Sequence, residues 1–261
     1  MRIQLFANEN KKSQLIKMVL VEKLLLAGFE ISDNPEMAIA IGGDGTFIKM
    51  VKACLYDSEI IYTGINCGTL GFLQNINPDE LDLFVDILKK EKYKLEKISL
   101  QETLVETDTK KHCLLSINEV VIRNQSLDTA FFQLKIDNVF VENYVGDGLL
   151  VATSLGTTAY NLSFGGSVVY SSFHAMQITP IAPLNSNSYR NIISPIVIPE
   201  AMLVELRPIK FSKDLIFSVD GENKHINDVK KISIKCRNKK LKFLRLNEYH
   251  YFKTIHDKFV S

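Results

Sequence analysis

Hydrophobic positions along the chain follow one rhythm up to about residue 94 and another beyond it. Residues 2–7 (RIQLFA) read as a strand. Over residues 11–27, Leu15, Met18, Val19, Leu20, Leu24, Leu25 and Leu26 make a thick helical stripe that ends at Gly28, a helix stop signal. The run MAIAI at 37–41 is apolar throughout, the pattern of a strand buried on both faces. It stops at Gly42-Gly43-Asp44-Gly45-Thr46, after which FIKMVKACL has helical periodicity. IIYTGIN is a further strand, followed by GTLGF. Asn77-Pro78-Asp79-Glu80 then opens a helix as a cap, a proline and two acids should, and LDLFVDILKKEK continues it to a lysine-rich end. Strand and helix alternate, which predicts a parallel sheet with helices on its faces.

From about residue 94 the period is two. KLEKISLQETLVE, HCLLSINEVVIRN, AFFQLKIDNVFVEN and GLLVATS follow one another, and MLVELRPI, LIFSVD, VKKISIKC and LKFLRL continue the theme. Asp137-Asn138 separates two alternating runs and reads as a hairpin turn. A short helix is expected after Gly156, and the tail YHYFKTIHDKFV has helical character. The expected organisation is an α/β domain over 1–95 and an all-β domain over 96–244, with the tail 245–261 free to pack back on the first.

Composition narrows the partners. Of 261 residues 46% are hydrophobic and 23% charged, which suits a packed globular chain and not extended disorder. Lys plus Arg is 31 against 30 for Asp plus Glu, so the basic surplus of a nucleic-acid binder is missing. No apolar run approaches the roughly 18 residues of a membrane span, and the opening MRIQLFANENKK reads as a strand and not as a signal peptide. Cys54, Cys67, Cys113 and Cys236 have neither metal-hook nor disulfide-framework spacing, and His112, His174, His225, His250 and His256 have no ligand spacing. A cytoplasmic protein with reduced thiols and no nucleic-acid or membrane partner is expected.

Three clusters can carry chemistry. The first is Gly42-Gly43-Asp44-Gly45-Thr46, between a buried strand and a helix. Its glycines let a ligand approach the backbone, and the helix start suits phosphate. Asp44 repels phosphate unless a cation intervenes or it accepts a proton from an attacking hydroxyl, and phosphoryl transfer uses both. The plainer reading is a tight turn with Asp44 as helix cap. The second cluster is Asn118-Glu119, a polar doublet in an apolar strand whose two side chains need a bulge, a strand end or a ligand. The third combines Gly146-Asp147-Gly148 with the segment Thr153–Ser163 and Gly165-Gly166, either a ligand-facing helix start or a Gly/Ser-rich loop. No Walker loop, GxGxxG fingerprint, HRD or DFG triplet or G-x-S-x-G elbow is present.

In this order and at these distances the clusters resemble the NAD kinase family. GGDGT at 42–46, NE at 118–119, GDG at 146–148 and TAYN at 158–161 match, and SPIVIP at 194–199 and VDG at 219–221 fit too. The resemblance spans roughly residues 37–225. It implies a Rossmann-like N-terminal α/β nucleotide-binding domain and a C-terminal β-sandwich domain that binds NAD. The implied reaction moves the γ-phosphoryl of ATP to the 2′-hydroxyl of the adenosine ribose of NAD, giving NADP. Asp44 would accept the proton, and Gly42, Gly43, Gly45 and Thr46 would hold ATP phosphates. Asp44, Gly45, Phe72, Asn118, Glu119, Asp147, Thr158, Ala159, Tyr160, Asn161, Ser163 and Ala182 would line the NAD site, with Phe72 beside the adenine.

The resemblance also implies a homotetramer or homodimer, with Tyr189 or a neighbour reaching into a partner's site. Val145 departs from the family, which often has a basic residue there, as does Glu222, where Gln is common. Lys49 and Lys52 are close to the glycine-rich turn in sequence only, so Mg²⁺ carried on ATP is expected to neutralise much of the phosphate charge. A lipid or sphingoid-base kinase shares the GGDGT turn but needs an apolar acceptor pocket, whereas the cluster at 118–163 is polar. A non-catalytic NAD-sensing protein is the other alternative, and the presence of Asp44 argues against it.

Overall fold

The computed structural model describes residues 1–68, 71–126, 128–209, 213–246 and 250–260. Thr69 and Leu70 of the GTLGF motif and Tyr249 of the tail lie outside the described residues. Two compact units are formed, Met1–Ile98 with Lys240–Ser261, and Ser99–Lys239.

The first unit begins β1 (Arg2–Ala7), α1 (Lys11–Leu26), β2 (Glu30–Ile31), β3 (Met37–Gly42), α2 (Asp44–Ala53), β4 (Ile61–Asn66), α3 (Leu81–Lys89), β5 (Lys94–Ile98). Asn10 caps α1 by accepting from the Ser13 N–H at 2.8 Å, and Gly28 beyond its end takes φ +87°. The thick stripe of α1 is buried only at Leu20 and Leu24, while Leu15, Met18, Val19, Leu25 and Leu26 are exposed. Consecutive apolar residues wrap around a helix, and one packed face cannot cover them all. All six residues of β3 are buried, as its unbroken apolar run requires. Asn77 and Glu80 form a capping box ahead of α3, which buries Leu81, Phe84, Val85 and Leu88.

The second unit contains β6 (Gln101–Thr107), β7 (Lys111–Ser116), β8 (Glu119–Asn124), β9 (Ala130–Ile136), β10 (Val139–Gly146), β11 (Gly148–Thr153), α4 (Tyr160–Ser163), β12 (Ala175–Ile181), β13 (Ile196–Pro199), β14 (Val204–Pro208), β15 (Leu215–Val219), β16 (Glu222–Ile226) and β17 (Val229–Cys236). Two antiparallel sheets, ordered β10-β9-β14-β17-β6-β7 and β13-β12-β11-β8-β15-β16, share one apolar core. Phe132, Leu134 and Ile232 of the first sheet and Val120, Val151 and Phe217 of the second contribute to it, making a β-sandwich. The β9–β10 turn has Asp137 and Asn138 at φ +48° and +67°, the conformation its sequence demands. On its outer side the second sheet carries a small cluster of Val121, Leu150, Ala152 and Ile181, packed by Phe164.

The chain then returns to the first unit as β18 (Leu241–Arg245) and α5 (Tyr251–Phe259). β18 pairs parallel with β4 and antiparallel with β5, completing the order β2-β1-β3-β4-β18-β5. This corrects the expected limit at 244. LKFLRL belongs to the α/β sheet, because two-residue alternation marks a strand without naming the sheet that receives it. No helix among the described residues is long and apolar enough to cross a membrane.

Candidate functional site

In the first unit β1 leads to β2 on one side of the sheet and β3 to β4 on the other, so the strand order reverses between β1 and β3. Open α/β sheets bind ligands at such a switch point, beyond the carboxyl ends of the strands. A pocket of about 620 Å³ lies there, lined by Phe6, Ala7, Asn8, Glu9, Gly43, Gly45, Thr46, Lys49, Met50 and Ala53. The Thr46 and Phe47 N–H groups already bond the Gly43 carbonyl at 2.8 and 3.3 Å, which leaves those of Asp44 and Gly45 as the open donors of the first helical turn among the described residues. Lys49, expected to be near only in sequence, follows one turn later and lines the pocket. Gly42 does not line it. A Cβ at Gly42 would lie 2.3 Å from Thr46 Oγ1, so this glycine seats the threonine.

Asp44 is not the helix cap. That place belongs to Gly43, and no side chain bonds there. Asp44 is the first residue of α2, and its carboxylate accepts the N–H groups of Phe72 at 3.2 Å and Leu73 at 3.0 Å. A Cβ at Gly71 would lie 2.4 Å from Asp44 Oδ1, so glycine is what lets this loop close on the acid. Arg245, buried in β18, donates to the Phe72 carbonyl at 3.0 Å and to Glu96 at 2.7 Å while lying over the Phe243 ring. Lys258 of α5 reaches Asp44 Oδ2 at 3.2 Å.

In the second unit Asn118 and Glu119 sit at the start of β8, both buried. Asp220, in the β15–β16 turn, gathers the N–H groups of Ile117, Asn118 and Glu119 at 2.9, 2.8 and 3.2 Å. The Asn118 carbonyl accepts from the Thr153 N–H at 2.8 Å, and a Cβ at Gly156 would lie 2.1 Å from that oxygen. The Glu119 carboxyl accepts the Tyr160 N–H, while its Oε2 is buried with no partner among the described residues. Burial first, and then the nearby Asp220 carboxylate, push the Glu119 pKa up to about 8, with the Tyr160 N–H opposing. Burial likewise raises Asp220 to about 6, against its three N–H bonds and with a further push from Glu222.

A 3₁₀ turn, Leu155–Thr158, and α4 carry the TAYN motif. Tyr160 is 45% exposed, edge-on to Phe164, and Ser163 is exposed. Thr158 is buried with its hydroxyl on the Leu155 carbonyl, and Ala159 links the two short helices. Asn161 is fully buried. Its amide donates to Gln177 and accepts from Thr179 at 3.1 and 2.6 Å, so it braces the motif from within.

Asp147 is exposed where the chain crosses from β10 in one sheet to β11 in the other. Its N–H meets the Ile181 carbonyl at 2.9 Å, beside Ala182, an exposed alanine at φ +46°. Val145 is buried, with its backbone held by the Asn191 side chain, and it lines a second pocket with Phe131 and Tyr189 where it offers no charge. Tyr189 packs edge-on against Phe131.

Asp220, Arg245, Gly71 and Lys258 are structural partners of these motifs that sequence reasoning missed. Asp220, in VDG, and Gly71, in GTLGF, lay inside motifs, whereas Arg245 and Lys258 did not.

Comparison with known proteins follows the same pattern. A family model described as the ATP-NAD kinase C-terminal domain matches residues 117–246. The NAD kinase of Finegoldia magna is 34% identical over 99% of this chain and 97% of its own length. NAD kinase 1 of Listeria monocytogenes is 33% identical over all of both chains. Among solved structures, yeast NADH kinase complexed with NADH has a TM-score of 0.86 at 18% identity, covering 98% of this chain and 86% of its own. An NAD kinase from Archaeoglobus fulgidus in complex with ATP has a TM-score of 0.76 at 21% identity, covering 98% and 99%. At these identities the two structures share the fold.

Proposed function

The chain belongs to the NAD kinase family, and on that premise we propose how its residues move the γ-phosphoryl of ATP to the 2′-hydroxyl of the adenosine ribose of NAD. The first unit takes the phosphoryl donor. Gly43, Gly45, Thr46 and Lys49 line a pocket with open N–H donors and a cation, the chemistry that phosphates require. Asp44 accepts the 2′-hydroxyl proton. The observation that carries this reading is the paired placement at one turn of a nucleotide-sized pocket and a fixed carboxylate. Phe72, expected beside the adenine, is 5% exposed with its ring packed by Tyr251 and Phe259, so its part in this arrangement is to hold Asp44 through its N–H.

The second unit takes the dinucleotide. At neutral pH the raised pKa keeps the Glu119 carboxyl protonated, so it offers a ribose both a donor and an acceptor. Asn118, Thr158, Ala159, Tyr160 and Ser163 belong to the same end of the second sheet. Asp147 and Ala182 belong to the other. Glu119 pairs with Ala152, and Arg123 with Gly148, a separation of four residues or about 14 Å along the strand. That span suits an extended two-nucleotide ligand better than a single nucleotide. Asn161 acts here as scaffold.

Mg²⁺ enters on ATP, where it offsets phosphate charge. The glycine-rich pocket suits a nucleotide that brings its own ion. A cytoplasmic setting is part of this reading, since the cysteine spacing is that of reduced thiols. The lipid-kinase and NAD-sensor readings have no support among the relatives above.

Incubation with Mg-ATP and NAD, followed by an NADP-specific dehydrogenase, tests the reaction. A folded sample that makes no NADP overturns it. Asn118→Ala and Tyr160→Ala should each weaken NAD binding by about 1–3 kcal/mol, read by calorimetry, and unchanged affinity in both would make these residues structural. The active form is proposed as a homo-oligomer, with the Asn185–Asn191 loop, closed by bonds between Asn185 and Asn191, near the contact. Light scattering that finds an active monomer at assay concentration would refute this.

A further inference from the structure

We propose that α5 is a positioning element for phosphoryl transfer and that Lys258 is its working group, setting which oxygen of Asp44 takes up the proton. This rests on Asp44 being the base. A carboxylate offers about four acceptor sites, two on each oxygen. Asp44 Oδ2 receives both the Phe72 N–H and the Lys258 ammonium, each at 3.2 Å, and is full. Among the described residues Oδ1 receives only the Leu73 N–H, at 3.0 Å, which leaves it one site. Lys258 therefore commits the acid to accept through Oδ1.

Unspent polar capacity lies on that same side. Gln74 is 3% exposed, and neither atom of its amide has a hydrogen-bond partner among the described residues. A Cβ built on Gly71 would touch both Gln74 Oε1, at 2.1 Å, and Asp44 Oδ1, at 2.4 Å. An unsatisfied buried amide beside the open lone pair is the mark of a polar ligand group, such as a hydroxyl, that completes both.

The lysine is held from two directions. Its ammonium lies 4.5 Å from the centre of the Phe72 ring as well as against Asp44, and α5 brings Tyr251 and Phe259 to within 6.2 and 5.7 Å of that ring. The Lys258 and Asp44 side chains are 28% and 29% exposed, so the pair is mostly shielded from water at the edge of the site.

The test uses the full chain with Mg-ATP and NAD. Lys258→Met should lower kcat by about 10–100-fold, the penalty of a misplaced reacting group, with both Michaelis constants within about threefold of wild type. Lys258→Arg should restore most of the rate. Phe259→Ala, which loosens the helix and keeps the ammonium, should also lower kcat, and it serves if Lys258→Met folds poorly. Lys258→Met placed on Asp44→Asn should cost no further residual turnover, since the two groups act as one. A kcat within twofold of wild type, a raised kcat, or a change confined to the Michaelis constant for ATP would overturn the proposal. An active wild type with an unaffected Lys258→Met removes this inference alone, whereas a folded wild type that makes no NADP removes the reading of Asp44 with it.

Discussion

Asp44→Asn should lower NAD turnover at saturating Mg-ATP by about 10²–10⁴-fold, the usual worth of general-base assistance, while NAD binding stays measurable. Asparagine keeps the shape and cannot accept the 2′-hydroxyl proton. The reading of Asp44 as a helix cap made asparagine a near-neutral replacement, but Gly43 holds that position. The structural role of the acid is to latch the Phe72–Leu73 backbone. An asparagine there still accepts one of the two N–H groups, while its own NH₂ faces the other, and the Lys258 ammonium loses its counter-charge. The folding cost of one such mismatch is about 1–3 kcal/mol. A melting curve and calorimetric NAD binding therefore accompany the turnover measurement. Turnover within about tenfold of wild type, with a lowered melting temperature, would leave Asp44 a latch and not a base.

The elements that sequence made legible are those whose cause is local. The buried run 37–41 followed by Gly42-Gly43-Asp44-Gly45-Thr46 announces a central strand, a tight turn and a helix start, and the chain forms β3 and α2 there. Asp137-Asn138 dictates a hairpin through two left-handed residues. The capping box at Asn77–Glu80 is equally local.

What stayed hidden depends on partners far along the chain. Arg245 meets the Phe72 carbonyl across 173 positions, Lys258 meets Asp44 across 214, and Asp220 meets Ile117 across 103. No periodicity encodes such distances. The alternation of LKFLRL was read correctly as a strand, but its place beside β4 is a matter of topology. The apolar residues of α1 were counted correctly, yet the count does not tell which face finds a neighbour. Asn161 carries the same lesson at the site. Its motif marks it as important, and its amide is spent on Gln177 and Thr179 inside the unit, partners that no motif names.

Glu119→Gln should raise the stability of the second unit above pH 8 and flatten its dependence on pH. The Glu119 carboxyl titrates at 4.5 when unperturbed and at about 8 in the folded chain, because burial and the nearby Asp220 disfavour its charge. Below pH 4.5 both the folded and the unfolded chain hold this proton, and the stability tied to it is fully present. Between 4.5 and 8 the unfolded chain gives the proton up while the folded chain keeps it, so stability falls as pH rises. Above 8 the folded chain must carry a buried charge whose Oε2 has no partner among the described residues. The whole shift corresponds to roughly 4–5 kcal/mol. Glutamine retains an oxygen for the Tyr160 N–H, offers an amide N–H toward Asp220, and never ionises. In wild type the melting temperature of this unit should drop by about 10 °C between pH 5 and pH 9, the scale set by the unfolding entropy of a domain near 150 residues. In Glu119→Gln the drop should be much smaller, so the variant melts above wild type at pH 9 although it has lost a group proposed to contact the ribose. Asp220→Asn separates the two acids. It spoils part of the N–H cradle at Ile117, Asn118 and Glu119 and should destabilise at every pH from 5 to 9. Parallel melting profiles for wild type and Glu119→Gln across that range would mean that Glu119 is ionised in the folded chain. The protonated carboxyl would then have no place in NAD recognition.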